Sequence, residues 1–413
     1  MRILSVATTH PRFAGDSEPA YVLAVNRELV GLGHEVTALV PHARGAALSE
    51  IVDGVRIERF RYFLPASLQR LCYNGGILPN LRRSWWARLN LPFFVFAQAL
   101  AVARMATSKH YDLIHCHWLI TSGLMGALFA GLGDAPLVVT AHGSDVFTEN
   151  VLFKTLDRFV LGRCSTCTVN SRRSGELVSR MNPATRIEPV PMGVYPSKYG
   201  KHLASAAVRG DMGDGRPQLL FVGRFSTNKG VSDLVAAMKT ILKEMAGARL
   251  ALVGYGPEEE TIRRAISSRG LQAEVKLLGR VSRAEIPTYM ASADLLVLPS
   301  IRVEGLGVVL LEALASGTAV VGTNVGGIPD IVRDGETGLL CRSQDPEDLA
   351  EKCLRMLRDA ELRRRTTEEG RRLVGAEFSW SRIGKRLESL FSSCLGAPGS
   401  GSAAETNHTT VPG

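Results

Sequence analysis

The chain predicts an α/β protein of two doubly wound, Rossmann-like halves joined by a short connector. Three observations carry this. Short apolar runs alternate with amphipathic helical stretches, once before residue 195 and again after residue 217. Residues 196–216 between them are rich in Gly, Ser, Ala and Asp and show no period, which marks a linker. Four apolar runs of the second half exit into loops carrying glycines, cations or carboxylates, and in open parallel sheets that edge holds ligands.

The first half, 1–195, opens with a strand at 3–7. A helix over 20–32 follows, with Val22, Val25, Leu29 and Leu32 on one face and Gly33-His34 as its stop. Strands are expected at 36–40, 112–118, 137–141 and 168–171, and at 55–60, where apolar and charged residues alternate. Residues 190–193 lead out of this half. The second half, 217–376, repeats the alternation as far as residue 340 and then turns helical and highly charged over 346–372. A last amphipathic helix is expected over 377–395, with Phe378, Ile383, Leu387 and Leu390 on one face. The tail, 396–413, is small, polar and aperiodic, as a disordered segment is.

The chemistry concentrates in the second half. Residues 294–300 form a buried parallel strand by pattern, and the loop after it holds Glu304, Gly305, Leu306 and Gly307. The next helix begins at Val308 and carries Glu312. Glycines let backbone amides approach a ligand, and a helix N-terminus favours phosphate. A sugar nucleotide fits: Glu304 accepts sugar hydroxyls, the amides of 305–308 take the diphosphate, and Glu312 accepts ribose hydroxyls. The strand ending in Gly223-Arg224, with Lys229 at the next helix start, supplies two fixed cations for a diphosphate. Gly254 and Gly256 punctuate a further exit, and Val325-Gly326-Gly327 another. Each feature alone is also what an ordinary turn or a solvated acid looks like. Four together on one edge argue for a donor site.

A chain of 413 residues is long enough for two or three domains, and 45% apolar with 22% charged residues is globular composition. The net charge of +9 suits nucleic acid, an anionic membrane or a polyanion. No nucleic-acid motif accompanies it, so a membrane ranks first. Seven scattered cysteines, and no leader before the first strand, point to a reduced, cytoplasmic chain. Cys164 and Cys167 form a lone Cys-x-x-Cys without further zinc ligands at fitting spacing. No run reaches the roughly 18–20 uninterrupted apolar residues of a membrane span. The nearest, over 118–132, is shorter and broken by glycines.

These residues resemble the retaining glycosyltransferases of two facing Rossmann-like domains, the GT-B architecture of the family 4-like, group 1 enzymes. The resemblance rests on Pro299-Ser300, the E-x7-E pair Glu304 and Glu312, Gly317, the run 323–327, the run 334–340, and Gly223-Arg224 with Lys229-Gly230. It extends from the first strand to about Phe391. It implies sugar transfer from a UDP- or GDP-sugar to a lipid-linked or glycan acceptor in polysaccharide or glycolipid biosynthesis, with retention of configuration. It also implies a cleft between the domains, His142 beside the transferred sugar, and a terminal helix crossing back onto the first domain. Arg224 and Lys229, with His142 and Glu304, are then the reacting groups, and Asp145 orients acceptor or histidine. No Asp-x-Asp motif occurs, so neither metal nor cofactor is expected.

Departures are present. Many relatives carry Gly-Gly in the first loop, where this chain has only Gly15 within 10–18 to meet donor phosphate. Relatives often read Asn-Gly-Val-Asp before the linker; here Met192-Gly193-Val194-Tyr195 lacks the acid. Ala319 replaces a common proline. Arg82, Arg83, Trp85, Trp86 and Arg88 interleave cations with indoles, as a segment on the inner face of an anionic membrane would, and resemble the membrane-facing part of lipid-acceptor glycosyltransferases. The other reading is a core helix over 93–105 with a basic flank. Phosphorylases and sugar-nucleotide epimerases share the architecture, but a phosphorylase needs a pyridoxal-type lysine site and a longer chain, and epimerases lack the Glu304/Glu312 signature. A catalytically weak sugar-nucleotide or glycan-binding component of an assembly complex is the alternative. Intact Arg224, Lys229, Glu304 and Glu312 argue against it, and the altered first loop argues for it.

Overall fold

The computed structural model describes residues 1–13, 16, 20–73, 75–108, 110–133, 135–143, 145–147, 150–214 and 216–396. Gly15, Ser144 and the tail beyond 396 lie outside these residues, so the expectations placed on Gly15 and on the tail are not addressed by it.

The first domain is built on strands β1 (Arg2–Val6), β2 (Glu35–Pro41), β3 (Ser49–Val52), β4 (Val55–Phe60), β5 (Leu113–His117), β6 (Leu137–Ala141), β7 (Thr166–Val169) and β8 (Ile187–Pro189). Their order is β3-β4-β2-β1-β5-β6-β7-β8, parallel except for the β3–β4 hairpin. Helices α1 (Tyr21–Gly31), α2 (Ile77–Arg83), α3 (Trp85–Ser108), α4 (Leu124–Phe129), α5 (Val151–Leu161) and α6 (Arg172–Met181) belong to the same domain. Strand β3 is an addition to the sequence reading. The Asp53-Gly54 pair, both at positive φ, turns the chain so that Val52 pairs with Val55.

The connector carries secondary structure of its own. It contains α7 (Ala206–Met212) and packs on the second domain: Lys201 Nζ donates to the carbonyls of Ala291 (3.0 Å) and Ala293 (3.1 Å), and Arg209 pairs with Asp294 at 2.5 Å. Short polar helices held by such tethers carry no readable period.

The second sheet comprises β9 (Gln218–Val222), β10 (Arg249–Val253), β11 (Val275–Gly279), β12 (Leu295–Leu298), β13 (Ala319–Thr323) and β14 (Leu339–Cys341). It is wholly parallel, in the order β11-β10-β9-β12-β13-β14. The order reverses between β9 and β12, where loops part and leave a crevice for ligand. Helices α8 (Val231–Glu244), α9 (Glu259–Ser268), α10 (Ile286–Ser292), α11 (Val308–Ala315), α12 (Ile328–Ile331), α13 (Pro346–Arg358) and α14 (Ala360–Glu377) accompany it. The charged stretch is two helices, because Asp359 caps α14 through the Leu362 amide (2.8 Å).

Helix α15 (Trp380–Gly396) returns to the first domain. Phe378 is buried in the second core, whereas Trp380, Ile383, Leu387 and Phe391 are buried with Val22 and Leu29 of α1. At the crossing, Val194 N–H donates to the Phe378 carbonyl (2.8 Å) and Trp380 N–H to the Val194 carbonyl (3.0 Å).

Helix α3 has one core face and one exposed apolar face. Ala87, Asn90, Phe94, Gln98 and Val102 are buried, while Trp85, Leu89, Phe93, Phe96 and Leu100 line the opposite, exposed face. The stretch Trp85–Thr107 is long and apolar enough to cross a membrane by length and composition, and only 28% of its most apolar window is buried. Arg88, Asn90 and Gln98 interrupt it, so the stretch is not an uninterrupted apolar run.

Candidate functional site

The loops after β9, β12 and β13 hold one another through backbone and side-chain contacts. Gly326 and Gly327 lie against Glu304: the Gly327 amide donates to the Glu304 carbonyl at 2.9 Å, and a Cβ on Gly326 would sit 2.1 Å from that oxygen. Asn228 Oδ1 accepts from the amides of Arg302 (3.2 Å) and Val303 (3.0 Å), and its amide nitrogen donates to the Val303 carbonyl. The loop after β12 is therefore fixed from both sides before any ligand arrives. On it, Glu304 Oε2 accepts from Lys229 Nζ at 2.5 Å and from Ser300 Oγ at 2.8 Å. The Glu304 side chain is 11% exposed and that of Lys229 24%, so the pair is partly shielded from water.

Gly307 is the N-cap of α11 at positive φ, with no side chain satisfying the first turn. The amides at this end are the donors expected of an anion site. Glu312, on the same helix, is partly buried, and burial raises its carboxyl above the ordinary range against the opposing pull of Arg283 and a hydrogen bond from Tyr199. Tyr199, from the connector, was not singled out by sequence; its neighbours offer no period. Gly254 and Gly256 have a packing reason for lacking Cβ: one would meet the Gly223 carbonyl oxygen at 1.8 Å, the other that of Phe225 at 2.1 Å. Gly223 in turn borders the Phe221 ring.

Across the cleft, His142 leaves β6. Its Nε2 shares a hydrogen bond with His117 Nδ1 at 3.1 Å, the rings lying nearly parallel. Trp118 and Tyr21 flank the His142 ring, with centroids at 4.7 and 5.1 Å. Burial lowers the His142 pKa to about 3, helped by His115, and lowers His117 well below its ordinary value. Both imidazoles are neutral at physiological pH. Asp145 Oδ2 accepts from the Leu119 amide at 3.1 Å, and burial raises its carboxyl to about 6 against backbone hydrogen bonds that include one from His142. His117 is thus the partner of His142 that sequence did not supply; its only signal is its place beside His115 on one face of β5.

The domains touch at Gly143 and Gly305. A Cβ on Gly143, at φ +93°, would lie 2.9 Å from Gly305 Cα, and one on Gly305 would lie 3.1 Å from the His142 carbonyl. A second tie joins α6 to α12, where Arg172 donates through its amide (2.8 Å) and Nε (2.6 Å) to Asp330. Beside these contacts opens a cavity of about 870 Å³ lined by both domains. Asp145, Trp118 and Tyr21 face it from the first domain; Arg224, Tyr255 and Arg280 face it from the second. Arg224 reaches over the cleft to the glycine loop, and a Cβ on Gly75 would lie 3.4 Å from its Nη1. The structure therefore brings Lys229 to Glu304 and sets Arg224 and Asp145 around one cavity. Glu312 stands apart with Tyr199. Among the described residues no group of three or more His, Cys, Asp or Glu side chains converges as a metal ligand set.

Residues 209–373 match the family model of "Glycosyl transferases group 1", and residues 19–193 that of the "Glycosyl transferase 4-like domain". The chain belongs to the group 1 glycosyltransferases. It is similar to the GDP-mannose-dependent alpha-(1-6)-phosphatidylinositol monomannoside mannosyltransferase of Mycobacterium tuberculosis, 30% identical over 62% of this chain and 69% of that protein. It is also similar to the N-acetyl-alpha-D-glucosaminyl L-malate synthase of Bacillus anthracis, 29% identical over 73% of this chain and 79% of that one. The solved sucrose-phosphate synthase of Thermosynechococcus elongatus superposes with a TM-score of 0.77 at 24% identity, covering 95% of this chain and 99% of its own. That likeness carries the fold: the two facing domains of this glycosyltransferase have the GT-B architecture.

Proposed function

We propose that this glycosyltransferase moves a sugar from a UDP- or GDP-sugar to a lipid-linked or glycan acceptor, retaining anomeric configuration, at the cytoplasmic face of a membrane. The observation that carries the donor assignment is the Lys229–Glu304–Ser300 constellation beside the open start of α11. Glu304 is the hydroxyl acceptor for the sugar. Lys229 and Arg224 are the fixed cations for the diphosphate, and the amides of 305–308 complete its cradle.

When the anomeric bond breaks, its electron pair stays with the nucleoside diphosphate. Arg224, Lys229 and the helix start stabilise that charge, so the reading requires neither metal nor cofactor. Glu312, braced by Tyr199, takes the ribose hydroxyls. Neutral His142, held by His117, faces the transferred sugar as a hydrogen-bonding group and not as a cation. Support for membrane docking comes from the exposed stripe on α3 together with exposed Arg82, Arg83 and Arg88. The phosphatidylinositol-mannoside relative and its GDP-mannose donor accord with this reading.

The test is nucleotide release by purified protein from a panel of UDP-, GDP- and ADP-sugars, with and without extracted membrane lipid. Release from one donor that rises with lipid is expected. Nucleotide binding with silence across the panel would instead favour a binding component.

A further inference from the structure

The cavity lining is of two kinds. Asp145, Arg224, Tyr255, Arg280 and the hydroxyls of Thr8, Thr9 and Thr121 are polar. Ile77, Leu78 and Leu81 of α2, Leu91 of α3, Phe153 of α5, and Ile120 make an apolar wall. A site for a hydrophilic glycan needs hydroxyl-binding groups along its length, because sugar hydroxyls left without partners lose their hydration for nothing. Among the described residues, those of α2, α3 and α5 in this lining offer no side-chain donor or acceptor except Arg82, at the end of α2, and Thr121, beside Ile120, adds one hydroxyl.

The wall also runs out to the surface. Leu78 lines the cavity and is itself 47% exposed, so the cavity opens beside it. On that side the chain continues into the exposed Trp85, Leu89 and Phe93 of α3. On the other side Phe153 lines the cavity while the two residues before it, Val151 and Leu152, are 77% and 63% exposed. Exposed apolar residues therefore adjoin the lining along the chain, both from α2 into α3 and at the start of α5. Contiguous exposed apolar surface of this kind marks a binding or membrane site. Cations border it: Arg82, Arg83 and Arg88 are exposed along the same segment.

We propose that the acceptor is an amphiphile with an anionic head group, and that its apolar chain enters the cleft between α2 and the start of α5. The chain lies on Leu78, Leu81, Leu91 and Phe153, the anion meets Arg82, and the acceptor hydroxyl reaches Asp145. This rests on the transferase reading above and narrows its acceptor from lipid-linked or glycan to lipid-linked.

The experiment is calorimetric binding of hexyl, octyl and decyl phosphate to the full chain, below their micelle concentrations, with inorganic phosphate as the chainless control. Affinity should rise with chain length, by at most about fourfold per added methylene. Leu78→Ser and Leu81→Ser should flatten that rise, and Arg82→Gln should weaken all the alkyl phosphates by a similar factor. Phe96→Ser, on the outer face of α3, should leave the rise intact while weakening sedimentation with anionic vesicles. Leu78 is half exposed, so its serine variant tests the wall without removing a core residue. Equal affinity at all chain lengths overturns the proposal. So does a rise that Phe96→Ser abolishes and Leu81→Ser does not, since the chain would then sit on the outer face. UDP and GDP binding, measured on the same samples, separates the two readings: nucleotide binding without chain dependence sinks only the amphiphile acceptor, and chain dependence without nucleotide binding sinks only the donor assignment.

Discussion

At the scale of single residues, the account turns on protonation and on one ion pair. Buried neutral histidines cannot supply the acid limb of a pH–rate profile. His142 is held near 3, far below the ordinary histidine value, so it stays neutral through the working range. Asp145 is raised to about 6, so it loses its charge as pH falls through that value. A fall in kcat/KM below about pH 6 is expected, and Asp145→Asn should remove that limb. A limb that survives this substitution would assign the titration to another group. Sequence made the Asp145 and His142 positions legible as strand-exit residues. It could not show that His117 meets the imidazole, because the contact joins β5 to the residue after β6 across 25 positions of chain.

At the scale of elements, stability and surface chemistry diverge between α5 and α3. Asp157 of α5 is fully buried, and neither of its carboxylate oxygens has a hydrogen-bond partner among the described residues. Burial, then Asp145, raises it to about 7. The folded state therefore holds a proton that the unfolded chain releases near pH 4, so this group costs stability increasingly as pH rises through the interval between those values. Asp157→Asn should raise the melting temperature at pH 8 more than at pH 5; an equal gain at both would contradict the titration. For α3, Phe93→Ser with Phe96→Ser should reduce co-sedimentation with anionic vesicles while leaving the fold unchanged by circular dichroism. Binding that is equally weak to neutral and anionic vesicles at low salt would remove the membrane reading. The helix itself was legible as an aromatic segment, but its division into a core face and an open face was not. Spacings of three and four residues place Trp85, Leu89, Phe93, Phe96 and Leu100 in one stripe only once the helix is known to start at Trp85.

At the scale of the whole molecule, two sheets with their strand exits opposed explain why distant residues converge. The strand–helix alternation, the domain split and the returning α15 were readable because they rest on long apolar patterns. The order within the connector was not readable for the opposite reason: it comes from Lys201, Arg209 and Tyr199 reaching into the second domain, and single polar tethers leave no pattern. The same holds for closure. Arg172 and Asp330 join the domains from positions 158 apart in sequence. Arg172→Ala should loosen that tie and raise KM for donor more than it lowers kcat, because the contact serves the closed arrangement and not the reacting atoms.

The most direct test of the central claim, that donor turnover is organised by Lys229 and Glu304, is a double-mutant cycle read by nucleotide release. Lys229→Met and Glu304→Gln should each lower kcat/KM by about 10²–10³. The double variant should fall little further than the worse single, because each side chain orders the other. Near-wild-type turnover by Glu304→Gln, or losses that simply multiply, would contradict the account.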